Sequence, residues 1–228
     1  MIGRNKDKQR ESMMKKTTTR LIKFMAVIVL GLIVSMPSVA NESMTFLTWS
    51  ISFPNGNTKD FSQDSSSFRG VTAEFRYFVG PQFSIGIYGA WHVFNGSSEE
   101  MIAIDQEDFK GDVSGTQFRY INAWPVMVNA HFYTGNPGGT RLFIGAGAGL
   151  IGIEERVDIG VVAFQGTKWH FGVAPEIGAS IPIDYNLSLI VSGKYHYAFS
   201  SGDRLSAESA THSYISLNIG LSFNTDLL

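Results

Sequence analysis

Residues 41–228 predict an all-β fold, an eight-stranded antiparallel up-and-down transmembrane β-barrel with short periplasmic turns and longer extracellular loops. Three observations predict it. An alternation of apolar with small or polar residues recurs about eight times along the chain. In the last repeat Ile215, Leu217, Ile219, Leu221 and Phe223 alternate with Ser216, Asn218, Gly220 and Ser222. That period of two makes one strand face greasy and the other polar. The connections alternate in length, long then short, and the whole series follows a segment that reads as an export signal. Lipid outside and a polar lumen inside require this pattern, and among sheets only a closed one pairs every backbone group in a bilayer.

The first forty residues hold eight Lys or Arg and two Asp or Glu, leaving 10 basic and 18 acidic residues beyond them. A basic region (Lys15, Lys16, Arg20, Lys23) precedes the apolar run from Phe24 to Val34, and Ser38-Val39-Ala40 places small residues ahead of a cleavage point. Residues 1–40 are therefore expected to be a signal peptide cleaved after Ala40, with translation starting at Met13 or Met14 as an alternative to Met1. The apolar run falls short of the ~20 residues of a spanning helix. The remainder carries a formal charge near −8, which argues against nucleic acid as a partner. With no Cys in the chain, disulfides and thiol chemistry are excluded.

The elements follow in order. The first strand is expected from Met44 to Phe53, ending at the turn-forming Pro54-Asn55-Gly56-Asn57, with a Ser- and Asp-rich loop reaching Ser67. The second, Phe68 to Val79, points Val71, Ala73, Phe75 and Tyr77 outward, and Thr72, Glu74 and Arg76 inward. After Gly80-Pro81-Gln82 the third runs from Phe83 to Phe94. A long connection, 95–115, carries Glu99, Glu100, Asp105, Glu107, Asp108 and Asp112 against a single Lys110, an acidic surface loop. The fourth strand, Thr116 to Tyr133, contains Pro125, which cannot donate to a ladder and predicts a bulge or kink. The fifth, Arg141 to Ile153, sets Gly145, Gly147 and Gly149 on one face, leaving room for large side chains from other strands. A charged loop, 154–166, leads to the sixth strand, Thr167 to Ile181. The seventh, Leu187 to Phe199, and a loop at 200–211 precede the last.

Rings fall near both strand ends: Trp91 and Trp169 toward the outer ends, Tyr77, Phe83 and Phe132 toward the inner ends. Such an aromatic girdle suits headgroups at two interfaces. It separates this reading from a secreted calycin-like ligand carrier, whose interior is the apolar side.

The inward charges Glu74, Arg76, Arg119, Glu176 and Lys194 are the candidate functional set. An eight-stranded interior is only wide enough to be filled by side chains, so these charges are expected to pair, with Glu176 roughly opposite Ser192 and diagonal to Lys194. Four of the five His residues, 92, 131, 170 and 196, share the inward parity, and His170 and His196 fall near the same end of neighbouring strands. No third ligand accompanies that pair, so no metal is expected. Nor does the chain show a nucleophile, base and orienting acid as a set, and no catalytic residue or cofactor is assigned.

The runs Phe143-Ile144-Gly145-Ala146-Gly147-Ala148-Gly149 and Phe171 to Gly178, with Lys194-Tyr195-His196-Tyr197 and the last strand, resemble the small OmpA/OmpX/OmpW-like barrels of Gram-negative outer membranes. The resemblance implies an outer-membrane, porin-like protein whose partners are outer-membrane lipid, lipopolysaccharide and the barrel assembly machinery. It implies a non-enzymatic role in envelope structure or surface interaction through the extracellular loops. A narrow channel for small or apolar solutes is the alternative, followed by a lipid A-modifying enzyme. Many such barrels end on an aromatic residue; here Phe223 is followed by Asn-Thr-Asp-Leu-Leu.

Overall fold

The computed structural model describes residues 42–98, 102–106, 109–113, 117–159, 162–200 and 211–226. The signal peptide expected at 1–40 lies outside the described residues, as do Glu99, Glu100, Glu107 and Asp108. Within the unit Ala40–Leu228 the strands are β1 (Glu42–Asn55), β2 (Gly70–Gly80), β3 (Phe83–Ser98), β4 (Ile102–Gln106), β5 (Phe109–Val113), β6 (Gln117–Tyr133), β7 (Arg141–Ile159), β8 (Val162–Asp184), β9 (Leu187–Ala198) and β10 (His212–Asp226). A short helix, α1 (Asn57–Ser62), follows β1. Eight strands close into a ring in the order β1-β10-β9-β8-β7-β6-β3-β2, with β4 and β5 pairing separately as a hairpin. Every neighbouring pair is antiparallel, and β1 closes the ring by pairing with both β2 and β10.

Alternation decides which side each residue takes. On β10, Ser216, Asn218 and Ser222 are buried, while Ile215, Leu217, Ile219, Leu221 and Phe223 are exposed. The same inversion of a soluble protein's pattern holds around the ring: Leu47, Ile87, Val128, Ile144, Phe171 and Ile177 face outward, and charged residues are inside. An apolar exterior around a polar interior is a membrane barrel.

Three expectations about connections need correction. The loop expected at 154–166 is strand on both sides, with β7 reaching Ile159 and β8 starting at Val162. At 19 and 23 residues these strands are about twice the ~9–11 that a bilayer requires. Their upper parts therefore leave the lipid, where the outward residues Arg156 and Asp158 become charged and ion-pair at 2.8 Å. Polar residues on both faces made this segment look like a loop. The acidic connection likewise contains β4 and β5, with Asp105 opposite Lys110 and Asp112 opposite Ala103. Residues 54–67 contain α1. Finally, Pro125 makes no bulge: the β3–β6 ladder skips from Gly89–Val126 to His92–Ala123 in unchanged register. Pro175 does the same between β8 and β9.

The Trp residues share a row of cross-strand partners. Trp49 faces Val71, which faces Trp91; Trp124 faces Gly152, which faces Trp169. Because barrel strands tilt by roughly 35–45°, such a row climbs as it circles the barrel. Trp91 and Trp169 are outward and half exposed, yet both stand well inside their lengthened strands rather than at the ends. Phe83 and Phe132, also outward, are direct partners close to the short-turn end, where Tyr77 pairs with Ile85.

Candidate functional site

The interior is built in layers, read here from the short-turn end. Met44, Phe46, Phe78, Tyr133, Phe143 and Ile190 form a buried apolar floor. Each has the inward parity of its strand, Met44 and Phe46 near the start of β1.

Above the floor lies a charged layer. Glu74 and Arg76 are neighbours on the inward face of β2 and bond to each other. Arg76 also donates to Glu176 Oε2 at 2.9 Å and to Tyr133 Oη at 2.7 Å. Its guanidinium lies 4.6 Å from the ring centroids of both Phe46 and Phe143. Lys194 Nζ bridges the two carboxylates, 3.1 Å from Glu74 Oε2 and 3.4 Å from Glu176 Oε2, and sits 3.7 Å from the centroid of the Tyr88 ring. Asn129 donates to Glu74 at 2.6 Å, and His131 Nε2 is 2.8 Å from Glu176. Two carboxylates thus meet two fixed cations. An unpaired buried ion would cost several kcal/mol, so charge balance lets this layer exist inside a membrane.

Glu176 is directly opposite Lys194, and Ser192 is opposite Gly178, two residues from the sequence expectation. The cause is a two-residue turn at Tyr185-Asn186 with a bulge between Pro182 and Asp184. Gly145 performs the service expected of the fifth strand's glycines. A Cβ there would lie 2.0 Å from His131 Cδ2, so only Gly lets the imidazole reach Glu176.

Higher up, the lumen changes character. Ser50 bonds Thr72 and Asn218 at 3.0 and 2.7 Å. His196 stacks on Tyr214 at 4.4 Å, and His92 lies within 5.3 Å of both rings. Phe94, Ile121, Met127, Ile151, Ile153 and Val157 complete an apolar cluster that Phe61 of α1 enters from above. Against the end of this lid, a Cβ at Gly96 would be 1.9 Å from Ser62 O. Thr58 Oγ1, also on α1, accepts from the Ser213 N–H at 3.0 Å.

The predicted polar set is therefore inward throughout but divided among levels. Glu74, Arg76, Glu176 and Lys194 come together. Arg119 belongs to the lid, 5.9 Å from the Phe61 ring centroid. His170 and His196 do not pair: His170 bonds the Phe199 carbonyl at 2.8 Å and lies 5.3 Å from His212, while His196 joins the Tyr214 stack. His212 is buried as well, so all five His residues face inward. Among the described residues, the carboxylate–imidazole grouping with ligand spacing is Glu74, His131 and Glu176, within 4.8 Å of one another. Arg76 and Lys194 bond both oxygens of Glu74, and Arg76 donates to Oε2 of Glu176. The sequence reading places Asn129 on the inward face but not in the polar set, and it misses Tyr133 and Phe61; parity marks Tyr133 as inward, and nothing local singles out Phe61.

These features define a membrane β-barrel whose lumen is filled. No family model and no curated protein matches the chain. Among solved structures it is similar to Neisserial surface protein A (11% identity, 81% of this chain and 97% of that one, TM-score 0.49). It is also similar to the N-terminal β-barrel domain of Pseudomonas aeruginosa OprF (14%, 80% and 97%, TM-score 0.46) and to the outer membrane protein OprG of the same organism (9%, 82% and 97%, TM-score 0.46). The likeness is one of architecture.

Proposed function

We propose that this protein is a non-enzymatic barrel of a Gram-negative outer membrane that closes its own lumen and presents its longer connections outside the cell. The short turns at Pro81-Gln82 and Tyr185-Asn186 then face the periplasm and the β4–β5 hairpin faces outward, in keeping with the asymmetry of such barrels. Outer-membrane lipid, lipopolysaccharide and the assembly machinery are its partners in this reading, with an extracellular ligand taken by the connections.

The observation that carries it is the charged layer. The cavity beside Glu74, Arg76, Glu176 and Lys194 is about 10 Å³, room for a single water. No dehydrated solute passes a section so filled. The girdle and the acidic connection serve placement and display, the first by anchoring rings at headgroup level, the second by holding solvated charge away from the membrane. Liposomes loaded with a self-quenching anionic dye and carrying the refolded protein test the reading. Retention of dye at the level of empty liposomes is expected; leakage proportional to protein would contradict it.

A further inference from the structure

A second site lies below the apolar floor, at the short-turn end. A cavity of about 450 Å³ opens among the exposed turn residues Pro182, Asp184 and Tyr185 and extends to Glu42, Arg141 and Asn224. Its inner wall carries Arg141, 2% exposed. The guanidinium lies over the rings of Phe78 and Tyr133, at 4.7 and 4.5 Å, and Nη2 donates to the Pro81 carbonyl. Nε and Nη1 have no hydrogen-bond partner, and the Glu42 carboxylate acts on the guanidinium only through space. On the same cavity Asn224 Oδ1 is buried and equally unpartnered. Buried donors and acceptors left unmade cost about 1–3 kcal/mol each, more for a charged group. The charged layer above satisfies every one of its ions; this wall does not.

The chemistry of the lining selects the ligand. Arg141 offers a planar fork suited to a carboxylate, and Asn224 Oδ1 asks for an N–H. Asp184 adds a carboxylate to the lining that holds the guanidinium, so a simple anion such as phosphate meets a like charge there. A ligand with both a carboxylate and an ammonium meets complementary groups at each end. The volume lies at the lower end of small-molecule pockets and suits one or two amino-acid residues. We propose that this vestibule binds zwitterionic amino acids or short peptides, with the carboxylate on Arg141, an amide N–H on Asn224 and the ammonium at Asp184 on the exposed rim. The site is independent of whether the charged layer closes the lumen.

The test is calorimetric titration of the refolded protein with alanyl-alanine, N-acetyl-alanyl-alanine and alanyl-alaninamide. Saturable binding of the free dipeptide is expected, weakened at least tenfold by blocking either terminus. Arg141→Gln should abolish it. Should that variant not regain the gel mobility of the folded barrel, Asn224→Ala serves in its place and should weaken binding severalfold. Absence of saturable binding by the free dipeptide overturns the proposal. So does equal binding of the acetylated dipeptide, which would make the cavity a plain carboxylate site, or unchanged affinity in the variant that folds.

Discussion

The lower and upper halves of the lumen solve the same problem differently. Both must fill a tube lined by eight strands without leaving polar groups bare. The lower half does so with a closed set of charges, in which Arg76 touches Glu74, Glu176, Tyr133 and two rings. Rings and aliphatic side chains fill most of the upper half, which also buries Arg119 and Glu155, with isolated hydrogen bonds and a short helix whose Phe61 completes the packing. A buried ion is costly unless its charge is balanced, so the lower layer holds together or fails together. Packed rings can be removed one at a time. In the proposed function the lower half is the barrier, and the upper half is packing covered by α1.

Breaking the lower set should have the largest effect. Arg76→Met leaves Glu74 and Glu176 with only Lys194, and should lower stability by about 3–5 kcal/mol. Urea unfolding of the refolded protein in micelles, followed by tryptophan fluorescence, measures this. Gly145→Val attacks the same layer indirectly, pushing His131 away from Glu176; the overpacking should cost about 1–3 kcal/mol in the same assay.

Removing the lid should separate the halves. Phe61→Ala should loosen residues 56–69, seen as faster proteolytic cleavage there, while urea unfolding of the barrel shifts by less than Arg76→Met shifts it. Dye retention should be unchanged, because the charged layer remains. The smallest effect belongs to Arg156→Ala. Its pair with Asp158 is in solvent beyond the lipid, and the unfolding midpoint should not move.

The same contrast explains what could be read from the chain. Inward and outward sides were legible throughout, because parity is local: Glu74, Arg76, Arg119, Glu176, Lys194, His170 and His196 are all buried. Level along the barrel axis was not legible. Whether Glu176 meets Ser192 or Lys194 depends on a bulge next to Pro182, and whether His170 meets His196 or His212 depends on the stagger of three strands. Strand ends were lost for another reason. Alternation is visible only where one face meets lipid, so β7 and β8 seemed to stop at the point where they leave it.

In the proposed function Glu74, Arg76, Glu176 and Lys194 together close the lumen. Planar-bilayer recording on the unmodified protein, beside Arg76→Met, tests it most directly. A silent membrane is expected for the unmodified protein, and conductance steps only once the arginine is gone. Reproducible, ion-selective steps from the unmodified protein would contradict it.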